Sequence, residues 1–242
     1  MSCSANGTPQ LRRHFLMGGA LALAGVPVAA QTGRRLPPAD SQADPELDAL
    51  LERMRKLTAS RNAADLTALM LPTFRVEFDS GKGPLAFRRH WHLETPASPV
   101  WEILGRVLEM QGSFCLPSLY CAPYVYLRFP RDLDPLAHVV SLGSGTVVRD
   151  RPAQDASVVG QLDYSIVRLA APLTMPVVIA GSKFLAIDDP EAGRGYVAGS
   201  QVYSPAAHRV FFERRNGKWQ WISLAAGTLA EPPELKRHMA KG

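Results

Sequence analysis

From Asp44 onward the apolar residues follow two different spacings. Leu47, Leu50, Leu51, Met54 and Leu57 recur at helical intervals, with Asp44 in capping position and Pro45 at the first helical position, which predicts an amphipathic helix. Leu66, Leu69 and Met70 predict a second, shorter helix capped by Asn62 and stopped by Pro72. Phe74, Val76 and Phe78 then alternate with Arg75, Glu77 and Asp79, the pattern of a half-buried strand running into the turn Asp79-Ser80-Gly81-Lys82-Gly83. Helical spacing returns twice. Pro84 opens a segment to about Leu93 with Phe87 and Trp91 one turn apart. Ser98-Pro99 opens another in which Trp101, Leu104, Val107 and Leu108 share a face, with Gly112 as its stop.

Beyond Cys121 the pattern shortens. Tyr124-Val125-Tyr126-Leu127 reads as extended, and the following runs are brief, strand-like and separated by Gly, Pro and Asp, which predicts a small β-barrel over residues 137–203. Asn216-Gly217 is the favoured type I′ turn between Val210-Phe211-Phe212 and Trp219-Gln220-Trp221-Ile222. That turn sets Arg215 opposite Lys218, Arg214 opposite Trp219 and Phe212 opposite Trp221. Val210, Phe212, Trp219 and Trp221 then lie on one side, expected to pack back on the N-terminal helices. The fold class is therefore α+β. An α+β module (44–136) is followed by the barrel (137–203), a C-terminal hairpin completing the first module (204–229) and a tail (230–242).

The barrel region carries a resemblance. Val147-Val148-Arg149-Asp150-Arg151-Pro152, then Ser157-Val158-Val159-Gly160-Gln161-Leu162, and later Gly195-Tyr196-Val197-Ala198-Gly199-Ser200-Gln201-Val202 occur in the order found in bacterial SH3-like domains, which they resemble over roughly Ala137 to Tyr203. Val158, Leu162, Ile166 and Tyr196 can fill such an interior. Where the family usually carries paired aromatic residues, this chain has Lys183-Phe184-Leu185-Ala186-Ile187. More broadly, Ser98-Pro99-Val100-Trp101-Glu102-Ile103-Leu104-Gly105-Arg106-Val107-Leu108, Ala122-Pro123-Tyr124-Val125, Phe129-Pro130, Gly217-Lys218-Trp219 and Ala226-Gly227 are similar to a group of exported bacterial proteins with an appended SH3-like module. That resemblance implies an architecture and a compartment, and it brings no catalytic motif.

The N-terminus agrees with export. A polar stretch reaches Leu11-Arg12-Arg13-His14-Phe15-Leu16 and is followed by an apolar run, interrupted by Gly18, Gly19, Gly25 and Pro27, that ends in Val28-Ala29-Ala30 before the polar Gln31. Arg12, Arg13, Phe15 and Leu16 resemble the twin-arginine export signal, which implies a segment 1–30 removed near Ala30 and a periplasmic product. Residues 31–43, rich in Pro, Gly, Ser and Ala, read as a flexible linker. No later stretch approaches the roughly 20 apolar residues of a membrane span. The whole chain carries 27 basic and 22 acidic residues, and loss of Arg12 and Arg13 leaves 25 against 22, too small an excess for a nucleic-acid footprint. With Cys3 removed, Cys115 and Cys121 remain as an even pair, expected to form a disulfide across a short loop that contributes about 2 kcal/mol.

Chemistry-bearing motifs are few. The chain has no nucleophile elbow, phosphate loop, dinucleotide fingerprint or His-Glu-x-x-His sequence, and no cofactor or metal is expected. His90-Trp91-His92-Leu93-Glu94 would aim two imidazoles and a carboxylate at one side if it were a strand, but it follows a helical pattern in which positions two apart diverge. Two functional classes follow. The first is a non-enzymatic periplasmic interaction protein that contacts cell-wall glycopeptide or a protein partner through a surface near Tyr164, Phe184 and Tyr196, unless those rings fill the barrel. The second is a small-ligand-binding or hydrolytic enzyme with Asp79, His90, His92 and Glu94 at the mouth of a pocket in the first module. N-terminal sequencing of the exported protein is expected to begin near Gln31; a mature chain still beginning near Met1 would refute removal of the signal.

Overall fold

The computed structural model describes residues 33–39, 43–76, 81–174 and 183–227. Arg12, Arg13, Phe15, Leu16, Ala30, Asp79 and the tail lie outside them. The protein is α+β. Helix α1 (Pro45–Ala59) starts where the Asp44 carboxylate accepts from the Glu46 and Leu47 amides at 3.2 and 3.1 Å, and it buries Leu47, Leu51 and Met54. Helix α2 (Ala63–Ala68) is capped by Asn62 but ends before Leu69. Strand β1 (Met70–Arg75) already begins at Met70, so Pro72 lies inside a strand and does not stop the helix. This is tolerated because β1 forms the edge of its sheet, where a missing N–H breaks no central ladder. Gly83 opens α3 (Gly83–His90) with φ 81°, and a Cβ there would stand 2.8 Å from the Pro72 carbonyl oxygen, so the close approach of α3 to β1 requires glycine.

Helix α4 (Val100–Glu109) buries Val100, Trp101, Leu104, Val107 and Leu108 against α1. Strands β2 (Ser113–Leu116) and β3 (Leu119–Ala122) form a hairpin, and α5 (Tyr124–Arg128) follows. Residues 124–127, expected to be extended, are helical instead. One helical turn sends Val125 and Phe129 into the large core while Tyr126 covers the opposite face of the sheet, a division a strand would not give.

The second unit comprises β4 (His138–Ser141), β5 (Ser144–Arg149), β6 (Val158–Asp163), β7 (Ile166–Arg168), β8 (Phe184–Asp189), β9 (Gly193–Ala198), a 3₁₀ turn (Gly199–Gln201) and β10 (Val202–Tyr203). The chain then returns through β11 (Arg209–Arg215) and β12 (Lys218–Ala225) to complete a five-stranded sheet of order β1-β12-β11-β3-β2. β12 runs parallel to β1 and antiparallel to β11. Asn216 and Gly217 both have positive φ, as a type I′ turn requires, and the pairs Phe212–Trp221, Arg214–Trp219 and Arg215–Lys218 form in the register the turn dictates. A bulge at Ile222 keeps both Trp221 and Leu224 on the core face. That core centres on Phe74, Phe87 and Trp221, whose rings meet edge to face at 4.9 to 5.5 Å.

Residues 137–203 form two sheets, β10-β4-β7 and β6-β5-β9-β8, linked by an isolated bridge between Leu169 and Ile187. Among the described residues the ladders do not close into a barrel. The sheets share one interior made by Val139, Val148, Leu162, Val167, Leu169, Leu185, Ile187, Val197 and Val202. Three expected interior residues lie elsewhere. Tyr196 is half-buried on the opposite face, since the pleat turns its neighbour Val197 inward. Val158 is 52% exposed, because Val148 pairs with Gly160 and Arg149 with Val158, leaving Val159 as an extra residue that flips the strand end outward. Ile166 packs into the larger core of the first module.

The two units are joined by specific contacts. Arg106 of α4 donates to the carbonyls of Gly199 and Val202, and its guanidinium lies 5.3 Å from the Tyr203 ring centroid. Residues 33–39, within the segment expected to be a flexible linker, are hydrogen-bonded into the fold: Leu36 donates to the Tyr164 carbonyl, and Ile166 donates to that of Arg34. At the other end of the first module, the Asp44 cap also accepts from the Trp219 indole at 2.9 Å and faces Arg214 at 3.5 Å. Burial raises the Asp44 pKa, but the Leu47 amide, the Trp219 indole, Arg214 and the Glu46 amide together hold it below 3.8. The carboxylate therefore contributes stability that is fully present above the ordinary value and is lost as pH falls through the lower folded one. Asp44→Ala is expected to cost about 1–2 kcal/mol in urea unfolding at neutral pH, and the deficit should shrink below pH 3.8.

Candidate functional site

Helix α3 ends at His90, and the chain turns through Trp91 and His92, which has φ 48°, before Leu93 donates back to the Arg88 carbonyl at 3.0 Å. The apolar residues of this turn, Trp91 and Leu93, go inward; His92 and Glu94 are left outside and His90 half-buried. The His90 ring stands edge-on to Trp91 at 5.0 Å. Glu94 is engaged by Arg88, which donates from Nε at 2.8 Å and from a terminal nitrogen at 2.6 Å to the same carboxylate oxygen. Leu85, Arg88, Arg89, His92, Glu94 and Thr95 line an open depression of about 480 Å³. His92 and Glu94 thus share a rim, whereas His90 is turned toward Trp91 and Asp79 lies outside the described residues.

Among the described residues no group of three or more His, Cys, Asp or Glu side chains converges as metal ligands would. The depression is basic on its helix side, and its one lining carboxylate is already neutralised by Arg88. Three basic residues in the last turn of α3 also complement the negative end of the helix dipole.

The three rings expected to form a surface are placed differently from one another. Phe184 pairs with Ala198, and Tyr196 pairs with Ala186, so both rings lie on the outer face of β8 and β9, two positions apart along the ladder. Tyr164 sits at the β6–β7 turn with φ 48°, where its carbonyl accepts from Leu36 at 2.7 Å. Among the described residues no ring pair joins the three. Sequence reasoning missed the residues that hold 33–39: Tyr124, Arg128, Asp132 and Asp163. The only signal was Leu36, a lone apolar residue between two arginines and two prolines.

Cys115 and Cys121 are both free thiols in the structure, so the expected bridge is not formed in it. They occupy neighbouring strands, with Ser113 opposite Cys121 and Cys115 at an irregularity between Phe114 and Leu116. Both pack on the sheet face that carries Leu119, Phe211 and Ile222. Burial pushes the Cys115 thiol up to about 12 and raises Cys121 well above its ordinary value, with Cys115 further opposing ionisation of Cys121 and Arg209 favouring it.

No family model matches this chain, and no curated protein does. Two solved structures are similar over most of its length. One is an NTF2-like protein with a cystatin-like fold from Novosphingobium aromaticivorans, 12% identical with a TM-score of 0.29, covering 79% of this chain and 85% of that one. The other, from Xanthomonas campestris, is named as a calcium/calmodulin dependent protein kinase II association domain. It is 11% identical with a TM-score of 0.26, covering 85% of this chain and all of that one. Scores this low assign neither fold nor function. Because the thiolate is the reactive form and both thiols are held protonated, the reduced protein is expected to resist maleimide labelling at pH 8 and to label at both Cys115 and Cys121 once unfolded. Prompt labelling of the native chain would contradict the burial described.

Proposed function

We propose that this chain is an exported, non-enzymatic interaction protein of the periplasm, with residues 137–203 acting as an SH3-like binding unit for cell-wall glycopeptide or a periplasmic protein. The observation that carries this reading is the outward placement of Phe184 and Tyr196 on β8 and β9, while Leu185, Ile187 and Val197 supply the interior from the same strands. Rings left half-exposed on one sheet face give flat apolar area with little rotamer entropy to lose, which suits binding to a sugar or peptide surface. The shared interior of Val148, Leu162 and Val197 supports the SH3-like assignment. Export also favours oxidation of Cys115 with Cys121, which would fasten β2 to β3.

The rival reading, a ligand-binding or hydrolytic pocket in the first module, has less support. The centre of that module is filled by Phe74, Phe87 and Trp221, and Glu94 is already paired with Arg88. Neither nucleic acid nor a membrane is a partner in this proposal. Among the described residues no helix is long and apolar enough to cross a membrane.

Purified peptidoglycan and periplasmic extract, each incubated with the mature protein, test the idea. The wild type is expected to be retained. The double variant Phe184→Ala with Tyr196→Ala should lose about tenfold or more in affinity, as removal of aromatic anchors does. His92→Ala should bind as wild type. Failure of the wild type to bind either material at concentrations where SH3-like modules bind would sink the proposal.

A further inference from the structure

Residues 33–39 lie in a built groove between the two units. Their backbone pairs antiparallel with the β6–β7 turn. Arg35 bridges Ser165, the Leu36 amide donates to the Tyr164 carbonyl at 2.7 Å, and the Ile166 amide donates to the Arg34 carbonyl at 2.8 Å. The Tyr124 hydroxyl donates to the Leu36 carbonyl at 3.0 Å, and Arg128 donates to that of Pro37. The Arg34 guanidinium meets Asp132 at 2.7 Å, and Arg35 engages Asp163 through both its carboxylate and its carbonyl oxygen. Leu36, only 6% exposed, inserts into the core of the first module. Main-chain pairing at a strand edge, a pocket for one apolar side chain and carboxylates placed for the neighbouring charges are the features of extended-peptide recognition.

We infer that this groove is a peptide-binding site whose resident occupant is the chain's own segment 33–39, and whose external ligand is an extended peptide presenting two arginines followed by leucine and proline. The resident is exchangeable. Its ion pairs are exposed on both sides and contribute little each, and Leu36 is its single deeply buried anchor. Covalent attachment a few residues from α1 gives it an effective concentration of about millimolar, so a free peptide competes only when the resident is released. The site is distinct from the Phe184–Tyr196 face and stands or falls separately from it.

The test uses the full mature chain and a fluorescent peptide of the sequence Gly-Arg-Arg-Leu-Pro-Pro-Ala. Leu36→Asp removes the resident's anchor while leaving the groove residues in place. The peptide is expected to bind the Leu36→Asp chain at least about tenfold more tightly than the wild type, and to weaken as salt is raised. Adding Tyr124→Phe should lower that affinity while circular dichroism stays unchanged. A folded Leu36→Asp chain that ignores the peptide, or a wild type that binds it equally well, overturns the inference. Should Leu36→Asp fail to fold, the milder Leu36→Ala decides in the same assay: tighter peptide binding than the wild type supports the inference, and equal or absent binding overturns it.

Discussion

The indole of Trp221 stands edge-on to Phe74 and Phe87, and through that contact the last strand of the chain closes on its first strand and third helix. β12 is not an edge strand. It lies between β1 and β11, so the five-stranded sheet has no centre until the C-terminal hairpin is in place. The larger core, which also takes Leu104 from α4 and Val125 from α5, therefore depends on pairing residues some 150 positions apart, such as Met70 with Trp221. Such long-range pairing carries a high loop-closure cost before any contact compensates it. The run from β4 to β10 is consequently an insertion into the first unit.

What local sequence dictates was readable. Asn216-Gly217 fixed its hairpin register because the turn type alone sets which residues face one another. Asp44-Pro45 and the leucine stripe marked α1 for the same reason. What depends on a distant partner was not readable. Met70 and Leu71 belong to a strand only because β12 lies alongside, and Val197 rather than Tyr196 faces inward only because Leu185 is opposite. At the candidate site, the divergence of His90 and His92 followed from the helical pattern, but the Arg88–Glu94 pair depended on the left-handed turn at His92. Residues 33–39 have the composition of a linker. Their order comes from burial of Leu36 and its hydrogen bonds with Tyr124 and Tyr164, about 90 and 130 positions away, which no local pattern reveals.

Arginine side chains repeatedly bond backbone carbonyls of distant segments. Arg106 bonds two carbonyls near the 3₁₀ turn, Arg128 bonds Pro37, and Arg35 takes both the carbonyl and the carboxylate of Asp163. A planar guanidinium can serve several acceptors in fixed directions, and it remains charged even where burial lowers its pKa, as at Arg106.

The inserted unit begins and ends at one place. Val140 pairs with Tyr203 and Ser141 with Val202, while the Leu142 amide donates to the Gln201 carbonyl. Its two ends are thus held a single strand spacing apart, like the feet of a bracket. From the standpoint of the surrounding sheet, the chain between them is equivalent to a tight connection. Any cassette substituted at those two feet would still have to supply the host with a counterpart of Ile166, which fills part of its core, and with acceptors for Arg106 in place of the Gly199 and Val202 carbonyls.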